Sequence, residues 1–191
     1  MTKSNEQLVE LIKASLLPEE SSWFQKAIEL IQASTDPIEE LLNLSVVVKR
    51  QVSSIELIEL GTNELSLALT TKQVSELIRI FLVAQVLLCH SELTTRSVIK
   101  AYYQAGDSSE KSALLKGLSL LDPDGEAVNI AVNAARCNSA EEFSALAINN
   151  IYASQHFQDL NFNQLVLKAL FMGLPIDGFV GLNNRLSPEL S

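Results

Sequence analysis

The sequence predicts an all-α protein, built of antiparallel helical hairpins packed as a compact bundle or as a short, helical-repeat-like α-α superhelix. Three observations carry that expectation. Apolar residues recur at helical spacing along almost the whole chain, no segment alternates cleanly over a strand's length, and helix-start signals punctuate the sequence. With 47% apolar content in 191 residues, the chain can bury one sizeable core, so a single domain over 1–191 is expected.

Helices are expected at about 4–16, 19–34, 37–52, 72–89, 92–105, 109–121, 124–137, 140–150 and 161–172, with a short turn after Pro175. Pro18 followed by Glu19 and Glu20, and Asp36-Pro37 followed by Glu39 and Glu40, put a proline at a first helical position and carboxylates in the first turn. Asp107-Ser-Ser-Glu110 and Ser139-Ala-Glu-Glu142 have the spacing of capping boxes. The stretch Thr71 to Cys89 is apolar almost all round, so other helices must cover it, and it is the expected central helix. Between Ser53 and Thr70 the pattern is irregular or weakly helical. Asp122-Pro-Asp-Gly-Glu126 lacks the remaining ligands of a calcium loop and reads instead as a helix start, with Asp122 as the cap and Asp124 and Glu126 at the positive end of the dipole. No repeated sequence signature accompanies the hairpins.

Several functions are disfavoured. The 14 basic and 23 acidic residues give a net charge of −9, which repels the phosphate backbone and anionic lipid, so no nucleic acid partner is expected. The longest apolar run, Ile80 to Cys89, is interrupted by Gln85 and spans about half of the roughly twenty residues a membrane crossing needs. Because Leu8 to Lys13 is an amphipathic turn and not the core of a signal peptide, a cytoplasmic location is expected. Cys89 and Cys137 lie far apart without zinc or redox spacing and read as two buried, reduced thiols. Adjacent Cys89 and His90 point about 100° apart on a helix, which disfavours a shared metal. No nucleophile with an activating base and no glycine-rich phosphate loop is legible, and the paired carboxylates fall in first helical turns. The expectation is a protein that is not an enzyme and takes no cofactor.

The segment from Arg136 to Arg185 differs in kind, because varied polar residues interrupt an apolar setting. In its helix, Phe162, Leu165, Val166, Ala169, Leu170 and Gly173 follow core spacing while Asn161, Gln164 and Lys168 line an adjacent face. Asn149 to Leu160 has few strong helix formers and reads as an ordered loop anchored by Asn150, Tyr152 and Asp159. The candidate binding residues are Arg136, Asn138, Asn150, Tyr152, Asp159, Asn163, Gln164 and Lys168. Two readings stay open for them: a surface that binds a ligand or partner, or a hydrogen-bond network that holds the loop.

Asn150-Ile-Tyr152, Phe157, the run Phe162-Asn-Gln-Leu-Val-Leu-Lys-Ala-Leu-Phe171 and Gly173 resemble the signature of the EboA family, which has Asn-Pro-Tyr and Phe-Asn-Gln-Met-Val-Leu-Lys-Ala-Leu-Phe. Arg136, Asn138, Gly181, Leu182 and Arg185 also stand where similar residues are expected. The chain departs at Ile151, where the family often has proline, and at Leu165, where it often has methionine. The resemblance implies a non-catalytic accessory protein in secondary-metabolite traffic. Its implied partners are co-encoded pathway proteins, among them metal-dependent enzymes and a membrane prenyltransferase-like protein, which deliver a precursor, in cyanobacteria that of scytonemin, across the inner membrane. Binding of a hydrophobic metabolite or of a partner protein would suit that role. The alternatives are a helical scaffold with no small-molecule site and a metal-dependent enzyme using His156 and Asp159.

Overall fold

A computed structural model describes residues 3–53, 69–71 and 73–185. Among these residues there are eleven α-helices and no strand: α1 (Lys3–Ala14), α2 (Pro18–Ala33), α3 (Pro37–Gln51), α4 (Val74–Cys89), α5 (Thr95–Ala105), α6 (Ser108–Lys116), α7 (Leu118–Leu121), α8 (Val128–Ala135), α9 (Ala140–Ala147), α10 (Tyr152–His156) and α11 (Asp159–Phe171). Two 3-10 turns, Ile176–Gly178 and Leu182–Asn184, follow. The all-α expectation holds, while the stretch read as irregular between Ser53 and Thr70 lies almost wholly outside the described residues.

The helix starts obey the local signals. Asp36 Oδ1 accepts from the Glu39 amide at 3.1 Å, and Pro37 opens α3. Asp107 and Glu110 close a reciprocal capping box, each side chain accepting from the other residue's amide at 2.8 and 2.9 Å. At α9, Ser139 accepts from the Glu142 amide at 3.3 Å, but the Glu142 carboxylate turns to accept from the Tyr103 hydroxyl at 2.7 Å.

Helix α4 is the centre, buried without interruption from Val74 to Val86. Helices α1, α2 and α3 pack on it, as do α5, α6 and α7. It also carries four buried polar residues, Ser75, Glu76, Arg79 and Gln85, two of them charged. Buried charge is tolerated only with partners, and two of these find them across the core. Glu76 pairs with Lys116 at 2.8 and 2.9 Å and accepts from the Thr71 hydroxyl. Arg79 donates to the Ser45 carbonyl at 3.3 Å and to the Ser109 hydroxyl at 2.9 Å. The C-terminal half hangs on α6, against which α9 packs; α9 in turn meets α8, α10 and α11.

Several boundaries differ from expectation for identifiable reasons. The helix expected over 109–121 breaks into α6 and α7 at Gly117, where the backbone passes so close to α4 that a Cβ would lie 2.7 Å from Ile80. The helix expected from 124 starts at Val128 instead, because Pro123 to Ala127 form a turn in which Gly125 takes φ +73°. Asp122 still caps, though it caps that turn, and Asp124 and Glu126 do not reach the first turn of α8. Helix α9 ends at Ala147, short of 150, and the segment read as a loop from 149 to 160 contains α10 and the start of α11. Cys89 is exposed, not buried: only α4 up to Val86 is fully covered, and the last turn emerges from the packing. His90 is the buried neighbour, with Nε2 2.8 Å from the Ile31 carbonyl oxygen.

Candidate functional site

The polar residues of the C-terminal third separate into a buried knot and an open groove. Asn150 and Tyr152, the loop anchors, belong to the knot. Asn150 Nδ2 donates to the carbonyls of Leu115 and Ala145, both at 2.9 Å, in the last turns of α6 and α9. Its Oδ1 accepts from the Tyr152 amide at 3.0 Å, so one side chain ties the ends of two helices to the start of a third. Tyr152 is fully buried and donates its hydroxyl to Asp122 Oδ2 at 2.5 Å. Asp122 also accepts from the amides of Glu126 and Ala127, each at 2.9 Å. Burial, and then the neighbouring Asp122 carboxylate, push the Tyr152 hydroxyl well above its ordinary pKa. The His156 ring lies 4.6 Å from that of Tyr152. Gly125 also approaches that ring closely, since a Cβ there would stand 2.6 Å from His156 Nδ1.

Asp159 is held by a second device. Arg185 donates to Asp159 Oδ1 at 2.5 Å and to the carbonyls of Ala153, Ser154 and Phe157 at 3.3, 3.1 and 2.8 Å. Its guanidinium also sits 4.4 Å over the Phe162 ring. The arginine thereby satisfies the carbonyl end of α10 and fixes the entry to α11.

The groove lies between the end of α8 and α11 and encloses about 340 Å³. Val132, Ala135, Phe157 and Leu165 supply its apolar lining, and Arg136, Asn138, Asn161, Gln164 and Lys168 its polar rim. Four of the eight candidate residues, Arg136, Asn138, Gln164 and Lys168, therefore meet in one place. Arg136 donates to Asn161 Oδ1 at 3.2 Å. The Lys168 ammonium donates to the carbonyls of Ala135 at 3.1 Å and Cys137 at 2.6 Å, and lies 4.5 Å over the Phe143 ring. It thus neutralises the negative end of α8. Asn163 is half-buried on α11 and is not among the residues that line the groove.

Beside the groove, α11 turns an apolar face outward. Leu160, Leu167 and Phe171 are 69%, 50% and 93% exposed and share one stripe with Gln164, at spacings of four, three and four residues. Leu170, read from its spacing as core, is 44% exposed and widens the stripe, and Gly173 is exposed as well. The inner face is buried by Phe162, Leu165, Val166 and Ala169, so this helix is apolar on both sides. The outer stripe was the feature missed in the sequence, although the leucines on both helix faces signal it.

Among the described residues, no cluster of three or more His, Cys, Asp or Glu is arranged to hold a metal. His156 packs on Tyr152 and Asp159 pairs with Arg185. Nor is any described helix long and apolar enough to cross a membrane.

No curated protein and no solved structure matches this chain. A family model described as metabolite traffic protein EboA matches residues 4–191. The likeness legible in the last third thus extends over the helices that precede it, and the chain belongs to the EboA family of metabolite traffic proteins.

Proposed function

We propose that the protein is a non-catalytic accessory component of metabolite traffic that acts on the cytoplasmic side by docking a co-encoded partner protein on the outer face of α11. The cargo in this reading is a secondary-metabolite precursor of the scytonemin type on its way to export. The observation that carries the reading is the exposed stripe of Leu160, Leu167 and Phe171 beside the rim of Arg136, Asn138 and Gln164. Large apolar side chains left in water in a row mark interaction sites, and aromatic residues and arginine are the types enriched at the centres of interfaces. Burying Phe171 alone would contribute about 2–3 kcal/mol to such a complex.

Cargo held in the groove itself is less well supported. Its volume of about 340 Å³ is at the low end for small-molecule sites, and Lys168 and Arg136 already spend donors on the protein. A partner covering the stripe needs neither donor freed.

The test is the double variant Leu167→Asp with Phe171→Asp, introduced into a host that exports the metabolite. Both side chains face solvent, so the melting temperature is expected to stay within about 2 °C of the parent, the usual range for surface changes. Export is expected to fall to the level of the deletion strain, with the precursor retained in the cells. Normal export by a folded double variant would remove the docking face from the account.

A further inference from the structure

A second cleft, sharing no residue with the groove, opens between α6 and α9 and encloses about 460 Å³. Ser112 and Lys116 of α6 form one wall, Ser144 and Ala145 of α9 the other, and Ile148, Asn149, Leu174 and Pro175 close one end, with Thr70 also on the lining. The hydroxyl oxygens of Ser112 and Thr70 are both buried and neither has a hydrogen-bond partner. Ser112 is 0% exposed. A helical serine ordinarily turns its hydroxyl to water or to the carbonyl four residues earlier, and leaving it unpaired in the interior costs stability. Two such hydroxyls on one cleft are a defect that a guest oxygen would repair.

The backbone is shaped to the same place. Asn149, just past the end of α9, takes φ +55°, the left-handed conformation in which asparagine stops helices, and its amide donates to the Gly178 carbonyl at 2.6 Å. That bond fastens the 3-10 turn Ile176–Gly178, just after Leu174 and Pro175, to the exit of α9.

We infer that this cleft binds an uncharged small molecule with an apolar body and one hydroxyl or carbonyl oxygen. Ala145, Ile148, Leu174 and Pro175 face the body, while Ser112 and Thr70 meet the oxygen. Charge sets the rest of the preference. The Lys116 ammonium is already paired with Glu76 at 2.8 Å, and the other ionised group on the lining is the Glu141 carboxylate. Among the described lining residues no unpaired cation faces an anionic guest, which Glu141 would repel. The site is independent of the docking face, and either can fail without the other.

The experiment titrates the protein with 2-naphthol, and separately with the 2-naphthoate anion, while following amide resonances by NMR. Saturable shifts with 2-naphthol are expected at Ser112, Lys116, Ala145 and Ile148, with 2-naphthoate at least about tenfold weaker. Ser112→Ala should weaken 2-naphthol by about tenfold yet melt no lower than the parent, since it deletes an unpaired hydroxyl. Thr70→Val serves as the second probe of the same prediction, and Phe171→Asp should leave the affinity unchanged. Absence of saturable shifts at those amides, equal affinity for the anion, or parental affinity in both hydroxyl variants would overturn the assignment.

Discussion

At the scale of single residues, the knot around Asn150 and Tyr152 is a stability device, and its energetics can be read from its bonds. Asn150→Ala leaves the carbonyls of Leu115 and Ala145 and the Tyr152 amide without their partner, and is expected to cost about 3 kcal/mol in urea denaturation. Tyr152→Phe removes one donor to Asp122 while two backbone amides remain, so about 1–2 kcal/mol is expected. The sequence marked Asn150 and Tyr152 as anchors because polar residues in an apolar setting must be satisfied. It could not supply their partners. Asp122 lies 30 residues from Tyr152 and Arg185 lies 26 from Asp159, and no spacing rule links residues that only the tertiary fold brings together.

At the scale of elements, α11 was legible on its inner side and misread on its outer side. Phe162, Leu165, Val166 and Ala169 keep a helical period and are buried. Leu170 satisfies the same period and is exposed, because exposure is decided by which helices cover a face, and periodicity does not report that. The two rim residues of α11 should behave differently. Lys168→Ala uncaps α8 and is expected to cost about 1–2 kcal/mol, whereas Gln164→Ala should stay within about 0.5 kcal/mol of the parent on the same denaturation curve. The break between α6 and α7 has a similar origin. Gly117 looks like an ordinary helical glycine until Ile80 of α4 is placed against it, and Gly117→Ala is expected to destabilise by about 1–3 kcal/mol through overpacking.

At the scale of the whole molecule, the all-α class and the central position of α4 followed from the sequence, since a helix apolar all round has to be enclosed. The charges inside it did not, because Glu76 and Arg79 are matched by Lys116, Ser45 and Ser109 from other helices. The tyrosines give the assembled core a pH signature. Burial raises the pKa of Tyr102, Tyr103 and Tyr152 above their unfolded value of about 10. A raised folded pKa means that the unfolded chain loses these protons first. The stabilisation is therefore complete below pH 10 and declines above it, by up to about 1.4 kcal/mol per pH unit for each fully protected tyrosine. Tyrosinate absorbance should accordingly appear together with unfolding and not before it. The exterior poses the functional question: a chain of net charge −9 carries an uncovered apolar stripe on one helix of its C-terminal third. The most direct measurement of whether that stripe is a docking face places a photo-crosslinking amino acid at Phe171, at Leu167 and, as a control on α3, at Val46, itself 58% exposed. Illumination in the native host should yield one discrete adduct with a co-encoded pathway protein from positions 171 and 167 and none from 46. Equal adducts from all three positions, or none from 171 and 167, would contradict the account.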